Sequence, residues 1–351
     1  MSALEIDHVT VFQSGVDEYV AYRIPAVETA PDGTLLAFAE ARKRNLGDPG
    51  HEGQEIDLVL RRSSDGGVTW SRMQVIEAPG DFWSAANPAT VVDRDRGRIW
   101  LMYVRCRPGA GSGVARPRTD DVRNLARTSD DNGRTWSEPI DLTEVFRDLH
   151  DDRWRCTIPG PGGAVQDRGG RLVFPCWKCE PRENFAVIST DHGRTWKRSD
   201  FVPGSVHGNE NQLVVLSDGH LLMDIRQSEG EHRWFTRSDD GGTTWTAPRV
   251  GIAVSPVACA IKRVPLLFGG RKQEGVLWTG PGGPGRRNLI ARVSRDDGLT
   301  FDGPRLICAS MAAYSDLTVL EDGTAGVLWE KGKESPYETL TFTVLPTGSL
   351  V

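Results

Sequence analysis

Hydrophobic and polar positions along the chain alternate in blocks: an apolar run, a turn rich in Gly and Asp, and a second apolar run. Residues 20–27 and 34–42 form the first such pair around Pro31-Asp32-Gly33, and a polar loop leads to a third run at 56–62. Apolar and β-branched runs of this length between turn residues predict antiparallel strands. Together with a strand after the next turn, they predict one four-stranded sheet.

The same order of runs and turns recurs along the chain, beginning again at residues 87–104, 162–175, 212–225 and 314–330. The sequence has no convincing amphipathic stretch of helical period, although residues 141–152 leave room for one short helical turn. The final run, residues 340–344, is expected to pair with the N-terminal strand.

An eight-residue pattern marks turns in these blocks: Ser-x-Asp-x-Gly-x-Thr followed by Trp or Phe. Its five copies start at Ser63, Ser129, Ser189, Ser238 and Ser294. The Asp carboxylate can accept nearby backbone N–H groups, and Gly takes the positive φ that a tight turn needs. A small sheet repeated at this spacing cannot bury its own face, so the units are expected to stack.

At roughly 50 residues per unit, a chain of 351 residues has room for six units. The sequence therefore predicts an all-β fold, a six-bladed β-propeller of four-stranded antiparallel blades. Because the repeat runs through most of the chain, we expect residues 1–351 to form a single domain.

The formal net charge of −6 argues against a nucleic acid or an acidic membrane surface as a partner held by bulk electrostatics. No stretch is long and apolar enough to predict membrane insertion. Residues 1–7 lack the basic start and apolar run of a secretory leader, so a cytoplasmic protein is expected unless a leader has been removed.

The cysteines and histidines do not form a metal-binding or redox pattern. Cys176 and Cys179 are the closest pair of thiols, but no second ligand pair accompanies them, and on a strand they would point to opposite faces. His51, His207 and His232 are not at metal-ligand spacing. We expect neither a metal nor a cofactor.

Three arginines at strand ends stand out because they interrupt apolar patterns: Arg23, Arg226 and Arg286. Each alone would be read as a solvated rim residue. The inner strands of a propeller converge on a central channel, however, so residues that open different blades are expected to meet there.

Tyr22-Arg23-Ile24-Pro25, followed by several copies of the repeat, resembles the exo-sialidases (neuraminidases) of the bacterial and animal type. The resemblance covers nearly the whole chain. It implies a six-bladed propeller and a glycoside hydrolase that removes terminal α-linked sialic acid with retention of configuration. The implied partners are sialylated glycans or free sialosides.

By this resemblance, Arg23, Arg226 and Arg286 correspond to the arginine triad of the family. The substrate carries a carboxylate on its anomeric carbon, and planar guanidinium groups bind a carboxylate bidentately and stay charged. Glu330, at the end of a late strand, resembles the carboxylate that orients the first arginine. Glu40 and Arg42 resemble residues at the rim of the substrate site.

Tyr314 resembles the nucleophile of the family, and Glu210 the carboxylate that takes its proton. A carboxylate nucleophile would be repelled by the substrate carboxylate, whereas a neutral phenol is not; sialidases depart in this way from the usual pair of carboxylates. Asp48 resembles the acid/base, and Asp57 is a distant second choice because it lies inside a predicted strand.

Two other functions stay open at this point. One is a non-catalytic propeller that binds glycans or proteins, although this chain keeps the Tyr, Glu and Arg residues that degenerate relatives lose. The other is a transferase, or a hydrolase of a related ulosonic acid such as the deaminated sugar Kdn, since the triad recognises only the shared carboxylate. Loops at residues 81–86 and 155–158 are expected to set the preference for the C5 substituent.

Overall fold

β-strands account for nearly all regular structure in the computed structural model, which describes residues 4, 6–268, 270–346, 348 and 350. Met1–Ala3 and Glu5, on which part of the expectation about a leader rests, lie outside these residues. In chain order, the strands of the first half are β1 (Val9–Gln13), β2 (Ala21–Thr29), β3 (Leu35–Arg42), β4 (Ile56–Ser63), β5 (Gln74–Glu77), β6 (Ser84–Asp93), β7 (Arg98–Cys106), β8 (Val122–Ser129), β9 (Ile140–Asp141), β10 (Cys156–Pro159), β11 (Val165–Gln166), β12 (Leu172–Cys179), β13 (Glu183–Ser189) and β14 (Lys197–Arg198).

The strands of the second half are β15 (Gly208–Val215), β16 (Leu221–Gln227), β17 (His232–Ser238), β18 (Arg249–Ala253), β19 (Ala260–Phe268), β20 (Arg271–Pro281), β21 (Arg287–Ser294), β22 (Arg305–Val319), β23 (Ala325–Gly332) and β24 (Thr339–Leu345). The predicted helical turn is confirmed as α1 (Thr143–Phe146). No helix among the described residues is long and apolar enough to cross a lipid bilayer.

The strands hydrogen-bond into antiparallel sheets that divide into smaller units. The units are β2–β5, β6–β9, β10–β14, β15–β18, β19 to the first part of β22, and the second part of β22 to β24 with β1. Strand β22 is long because its first part pairs with β21 and its second part with β23. A single parallel bridge between Ile56 and Ser84 joins the first two units into one sheet. The predicted pairing of the last strand with the N-terminal strand is confirmed, since β24 pairs with β1.

The repeat turns share one hydrogen-bond pattern. Ser63 Oγ donates to Asp65 and accepts from the Gly67 N–H, while the N–H and the hydroxyl of Thr69 both donate to Asp65. The same arrangement surrounds Asp131, Asp191, Asp240 and Asp296. Each of these carboxylates therefore accepts the hydrogen-bond donors of its own turn.

The aromatic residue that ends each repeat packs on the preceding unit. Trp136 meets Phe38 of the first unit with ring centroids 5.8 Å apart, and Trp196 meets Trp100 of the second at 5.3 Å. Trp70 of the first unit packs on Phe342 of the last. A Cβ at Gly67 would lie 2.3 Å from this Phe342 ring, so the glycine permits the close approach. The repeat thus stabilises contacts between units as well as its own turn.

Candidate active site

Irregular backbone in strands β2 and β22 positions several of the predicted site residues. The register of β2 shifts between Arg23 and Ala26, and that of β22 shifts between Ala312 and Ser315, around Tyr314. Ile24 has a φ of 56°, which is a strained value for a β-branched residue. A bulge changes the direction in which a side chain points. Here the bulges lie at Arg23 and Tyr314, whose side chains meet.

Strand β15 carries a similar irregularity between Gly208 and Asn211, and β6 carries one between Ala86 and Ala89. Glu210 lies within the first of these. Alternation along a regular strand could not have predicted these orientations, because a bulge interrupts the two-residue period.

Tyr314, Glu210 and Arg226 form one hydrogen-bonded group. The Tyr314 hydroxyl lies 2.6 and 2.8 Å from the two carboxylate oxygens of Glu210. Arg226 Nη1 donates to the Tyr314 oxygen at 2.7 Å and also contacts Glu210. The phenol therefore has an acceptor for its proton and a cation beside its oxygen.

Burial and the neighbouring Glu210 charge raise the pKa of Tyr314 well above its usual value, while Arg226 and Arg23 oppose this effect. The phenol is consequently protonated at rest and donates to Glu210. Burial disfavours the charged form of Arg226, yet Glu210 and Tyr314 raise its pKa, so the guanidinium keeps its charge. The group combines a neutral nucleophile with a fixed cation.

Glu330 ties Arg23 to both bulged strands. Arg23 Nε donates to Glu330 Oε1 at 2.9 Å, and the backbone N–H groups of Ile24 and Tyr314 donate to the same carboxylate at 3.2 and 3.1 Å. Arg23 itself is 6% exposed, so its charge is largely desolvated. Burial alone would lower the pKa of Arg23, but Glu330 holds it above the ordinary value.

Tyr337 connects two of the three predicted triad arginines, and the sequence analysis missed it. The Arg23 guanidinium lies 4.1 Å from the centre of the Tyr337 ring, and Arg286 Nη1 donates to its hydroxyl. Arg286 also lies 5.5 Å from the centre of the Tyr314 ring. Tyr337 lies on the loop between β23 and β24, which begins just after Glu330. Its closeness in sequence to Glu330 was the only signal that could have identified it.

Glu40 and Arg42 form a buried pair next to this group. Arg42 Nη2 donates to Glu40 Oε2 at 2.7 Å, and the Asn87 N–H donates to Glu40 Oε1 at 3.0 Å. Burial raises the pKa of Glu40, although Arg42 opposes the shift. Asn87, another residue with positive φ, was not predicted as part of the site.

Asp48 lies on the loop between β3 and β4 and faces the same cavity. Its carboxylate is 3.5 Å from Arg42 Nη2 and 4.0 Å from Arg23 Nη1, and its side chain is 84% exposed. Asp57, the second choice for the acid/base, is buried elsewhere with Tyr19 and Lys43. The structure therefore brings Asp48, and not Asp57, to the other predicted residues.

The cavity above these residues has a volume of about 550 Å³. Glu40, Arg42, Asp48, Glu210, Arg226 and Tyr314 line it. One wall is apolar and consists of Val104, Cys106, Ile158 and Trp177. Ile158 lies in residues 155–158, one of the two segments expected to set specificity, but on strand β10 and not on a loop; residues 81–86 do not line the cavity.

A second cavity of about 760 Å³ lies farther along strands β15 and β22 and has a lining of mixed charge. Near it, side-chain atoms of Asp93, Asp95 and His192 that could coordinate a metal ion lie within 4.8 Å of one another. Both oxygens of Asp93 are already paired, with Gln166 and His192. This cluster is accounted for by its own hydrogen bonds.

Comparison with known proteins shows which family the chain belongs to. The family model described as "BNR repeat-like domain" matches residues 33–327. A sialidase of Micromonospora viridifaciens is 32% identical over 91% of this chain, but this chain spans only about half of it, 51%. Mouse sialidase-3 is 32% identical over 95% of this chain and 93% of its own length.

Among solved structures, the Hadza microbial sialidase Hz136 superposes with a TM-score of 0.84 and 27% identity, covering 95% of this chain and 67% of that one. The repeat and these similarities agree with one another. The chain belongs to the sialidase family.

Proposed function

We propose that this protein is a retaining exo-α-sialidase that hydrolyses terminal α-linked sialic acid through a covalent tyrosyl intermediate. The observation that carries the proposal is the contact of the Tyr314 hydroxyl with Glu210 and Arg226, at one end of a cavity of sugar size. Arg23, Arg226 and Arg286 would bind the substrate carboxylate, with Glu330 orienting Arg23.

In the first step, Asp48 gives its proton to the glycosidic oxygen as the bond from that oxygen to the anomeric carbon breaks. The Tyr314 oxygen bonds to the same carbon, and its proton passes to Glu210. In the second step, Asp48 takes a proton from water as the water oxygen attacks the carbon. The bond to Tyr314 then breaks, and Glu210 returns the proton. Two displacements leave the configuration retained.

The six units are proposed to be the blades of a propeller around this site. Two contacts support this arrangement: β24 pairs with β1, and Trp70 of the first unit packs on Phe342 of the last. In such a ring, the inner strands bring their bulged residues to a common axis.

The apolar wall of the cavity favours an N-acyl substituent at C5 over the hydroxyl of Kdn. Val104, Cys106, Ile158 and Trp177 offer no charged partner, and a methyl group buried there would gain hydrophobic contact. We therefore propose N-acetylneuraminic acid as the preferred sugar.

A panel of fluorogenic α-glycosides of N-acetylneuraminic acid, N-glycolylneuraminic acid and Kdn tests the proposal. We expect cleavage of the first sugar to exceed that of Kdn, and Tyr314→Phe to lose at least about 10³-fold in kcat because the nucleophile is gone. Absence of cleavage of all three by the wild type would overturn the proposed activity.

A 2,3-difluorinated sialic acid tests the mechanism separately. The expected product is a glycosyl adduct on the peptide that contains Tyr314, detected by mass spectrometry. Release of the inverted anomer, followed by NMR, would contradict the covalent mechanism while leaving the activity intact.

A further inference from the structure

A second layer of buried polar groups crosses the channel directly beneath the candidate active site. Gln212 follows Glu210 on β15, and Asp316 follows Tyr314 on β22, each by two residues. Gln212 Nε2 donates to Asp316 Oδ1 at 2.9 Å. The two strands are therefore joined twice, once through Glu210 and Tyr314 and once through this pair.

The same pair also fastens three other inner segments. The Val27 N–H donates to Asp316 Oδ2 at 2.8 Å, and the Ile261 N–H donates to Gln212 Oε1 at 3.1 Å. Gln212 Nε2 makes a further contact with the Pro161 carbonyl at 3.1 Å. All four polar atoms of the two side chains thus have partners, and the partners come from distant parts of the chain.

Asp316 is unusual because it is a fully buried carboxylate with no ion pair within 4 Å among the described residues. Its direct partners are amide donors, and the opposing charge of Lys262 acts from beyond 4 Å, so burying this carboxylate is costly. Gly162 leaves room for it, since a Cβ there would lie 2.5 Å from the Asp316 carboxyl carbon. The surrounding chain is built to accept this side chain.

The layer also separates the two cavities. The inner strands contribute Glu210 and Tyr314 to the candidate active site and residues such as Val214 and Thr318 to the second cavity, with Gln212 and Asp316 between them. Because the strands are bulged at Glu210 and Tyr314, their backbones lack regular ladder bonds at that level. Just beyond these irregularities, Gln212 and Asp316 join the two strands directly to each other.

We propose that Gln212 and Asp316 are positioning residues that hold Tyr314 and Glu210 in reacting geometry by locking their strands one layer below. This inference rests on the proposed sialidase function. The pair touches no substrate; it acts through the strands that carry the nucleophile and its base.

Asp316→Asn and Gln212→Glu test the proposal. Each single change spoils the donor and acceptor match, leaving either two amides or two carboxylates in contact. We expect kcat per folded molecule to fall by about 10- to 100-fold, since small displacements of reacting groups have effects of this size. Binding of the glycal inhibitor DANA, measured by calorimetry, should change by less than about threefold, because the arginines stay in place.

The double variant Gln212→Glu/Asp316→Asn supplies the decisive comparison. It restores one amide facing one carboxylate, although the contact to the Pro161 carbonyl is lost, so kcat should recover to within about tenfold of wild type. Asp93→Asn is the matched control, because Asp93 is an equally buried aspartate that accepts from a glutamine, Gln166, outside the site. Its kcat should equal that of wild type.

Wild-type kcat in Asp316→Asn would overturn the proposal. So would equal loss of kcat and DANA binding in the single variants with no recovery in the double. If a single variant does not fold, kcat of the folded double variant tests the proposal instead. A low kcat in the double variant contradicts the proposal, and a restored kcat supports it. An inactive wild type would instead refute the sialidase function itself.

Discussion

Two groups of carboxylates in this molecule differ in where their partners come from. In the repeat turns, the Thr69 hydroxyl and N–H lower the pKa of Asp65 to about 2, and Thr195 does the same for Asp191. These partners lie four residues away in the sequence, and the aspartates are exposed or only half-buried. The turn creates its own environment.

The buried carboxylates in and below the candidate active site behave in the opposite way. Burial raises the pKa of Asp316 to about 6, and burial also raises that of Glu40. The partners of Asp316 lie 104 and 289 residues away in the sequence. The same chemical group therefore stabilises a turn in one place and depends on the whole fold in the other. Function should follow the second group and local stability the first.

The largest effect that would test this contrast is expected for Glu330→Gln. An amide cannot accept all the bonds that Glu330 receives from Arg23, Ile24 and Tyr314, so both bulges should loosen. We expect kcat/KM for a fluorogenic sialoside to fall by about 10²-fold.

Glu77→Gln is the matched control for that measurement. Glu77 is also buried and contacts Arg105, Arg127 and Tyr103, but it lies on β5, away from the cavity. Its kcat/KM should stay within about twofold of wild type. Equal losses of kcat/KM in the two variants would mean that removing any buried carboxylate charge lowers activity. The proposed difference between carboxylates at the site and carboxylates elsewhere would then be wrong.

A smaller effect is expected for Tyr337→Phe. The ring over Arg23 remains, but Arg286 loses the phenol oxygen that it contacts. A hydrogen bond to a charged group contributes about 1.5–3 kcal/mol, and part of it should be replaced by water at this half-buried position, so we expect KM to rise by about five- to tenfold with kcat little changed.

Tyr19→Phe removes a comparable phenol that donates to Asp57 away from the cavity, and its KM should not change. A drop in kcat with unchanged KM in Tyr337→Phe would contradict a role in carboxylate binding. In that case Tyr337 would be acting on the reacting group through the Arg23 guanidinium.

Most of the strand order and the repeat turns could be predicted because their determinants are local. The Asp-Gly turns and alternating runs located the strand pairs, and the resemblance singled out Tyr314, Glu210 and Arg23, which meet in the structure. Tyr337 could not be found in this way, because only the packing of its loop on Arg23 gives it significance.

Gln212 and Asp316 escaped prediction for a related reason. Each looks like an ordinary polar residue in a strand. Its hydrogen-bond partner lies 104 residues away, so the neighbouring sequence does not identify that partner. The bulges at Arg23 and Tyr314 add to the difficulty, since they change which way side chains point without a distinct sequence signal.

The smallest effect concerns the turns, where Asp65→Asn should lower stability without touching catalysis. The amide cannot accept the Thr69 hydroxyl and N–H as a charged carboxylate does, so we expect Tm at pH 7 to fall by about 2–4 °C with unchanged kcat. Because folding lowers the pKa of Asp65 to about 2, its stabilisation is present above the unfolded value near 3.9.

That stabilisation should disappear as the pH falls through about 2, where the folded carboxylate takes up its proton. The difference in Tm between wild type and Asp65→Asn, measured by circular dichroism, should therefore be constant from pH 7 to about 5 and shrink steadily below pH 4. A difference that does not change down to pH 3 would show that the turn needs the shape of the side chain and not its charge. The carboxylates of the turns and those in and below the candidate site would then differ only in burial, because the local charge of the turn would contribute nothing.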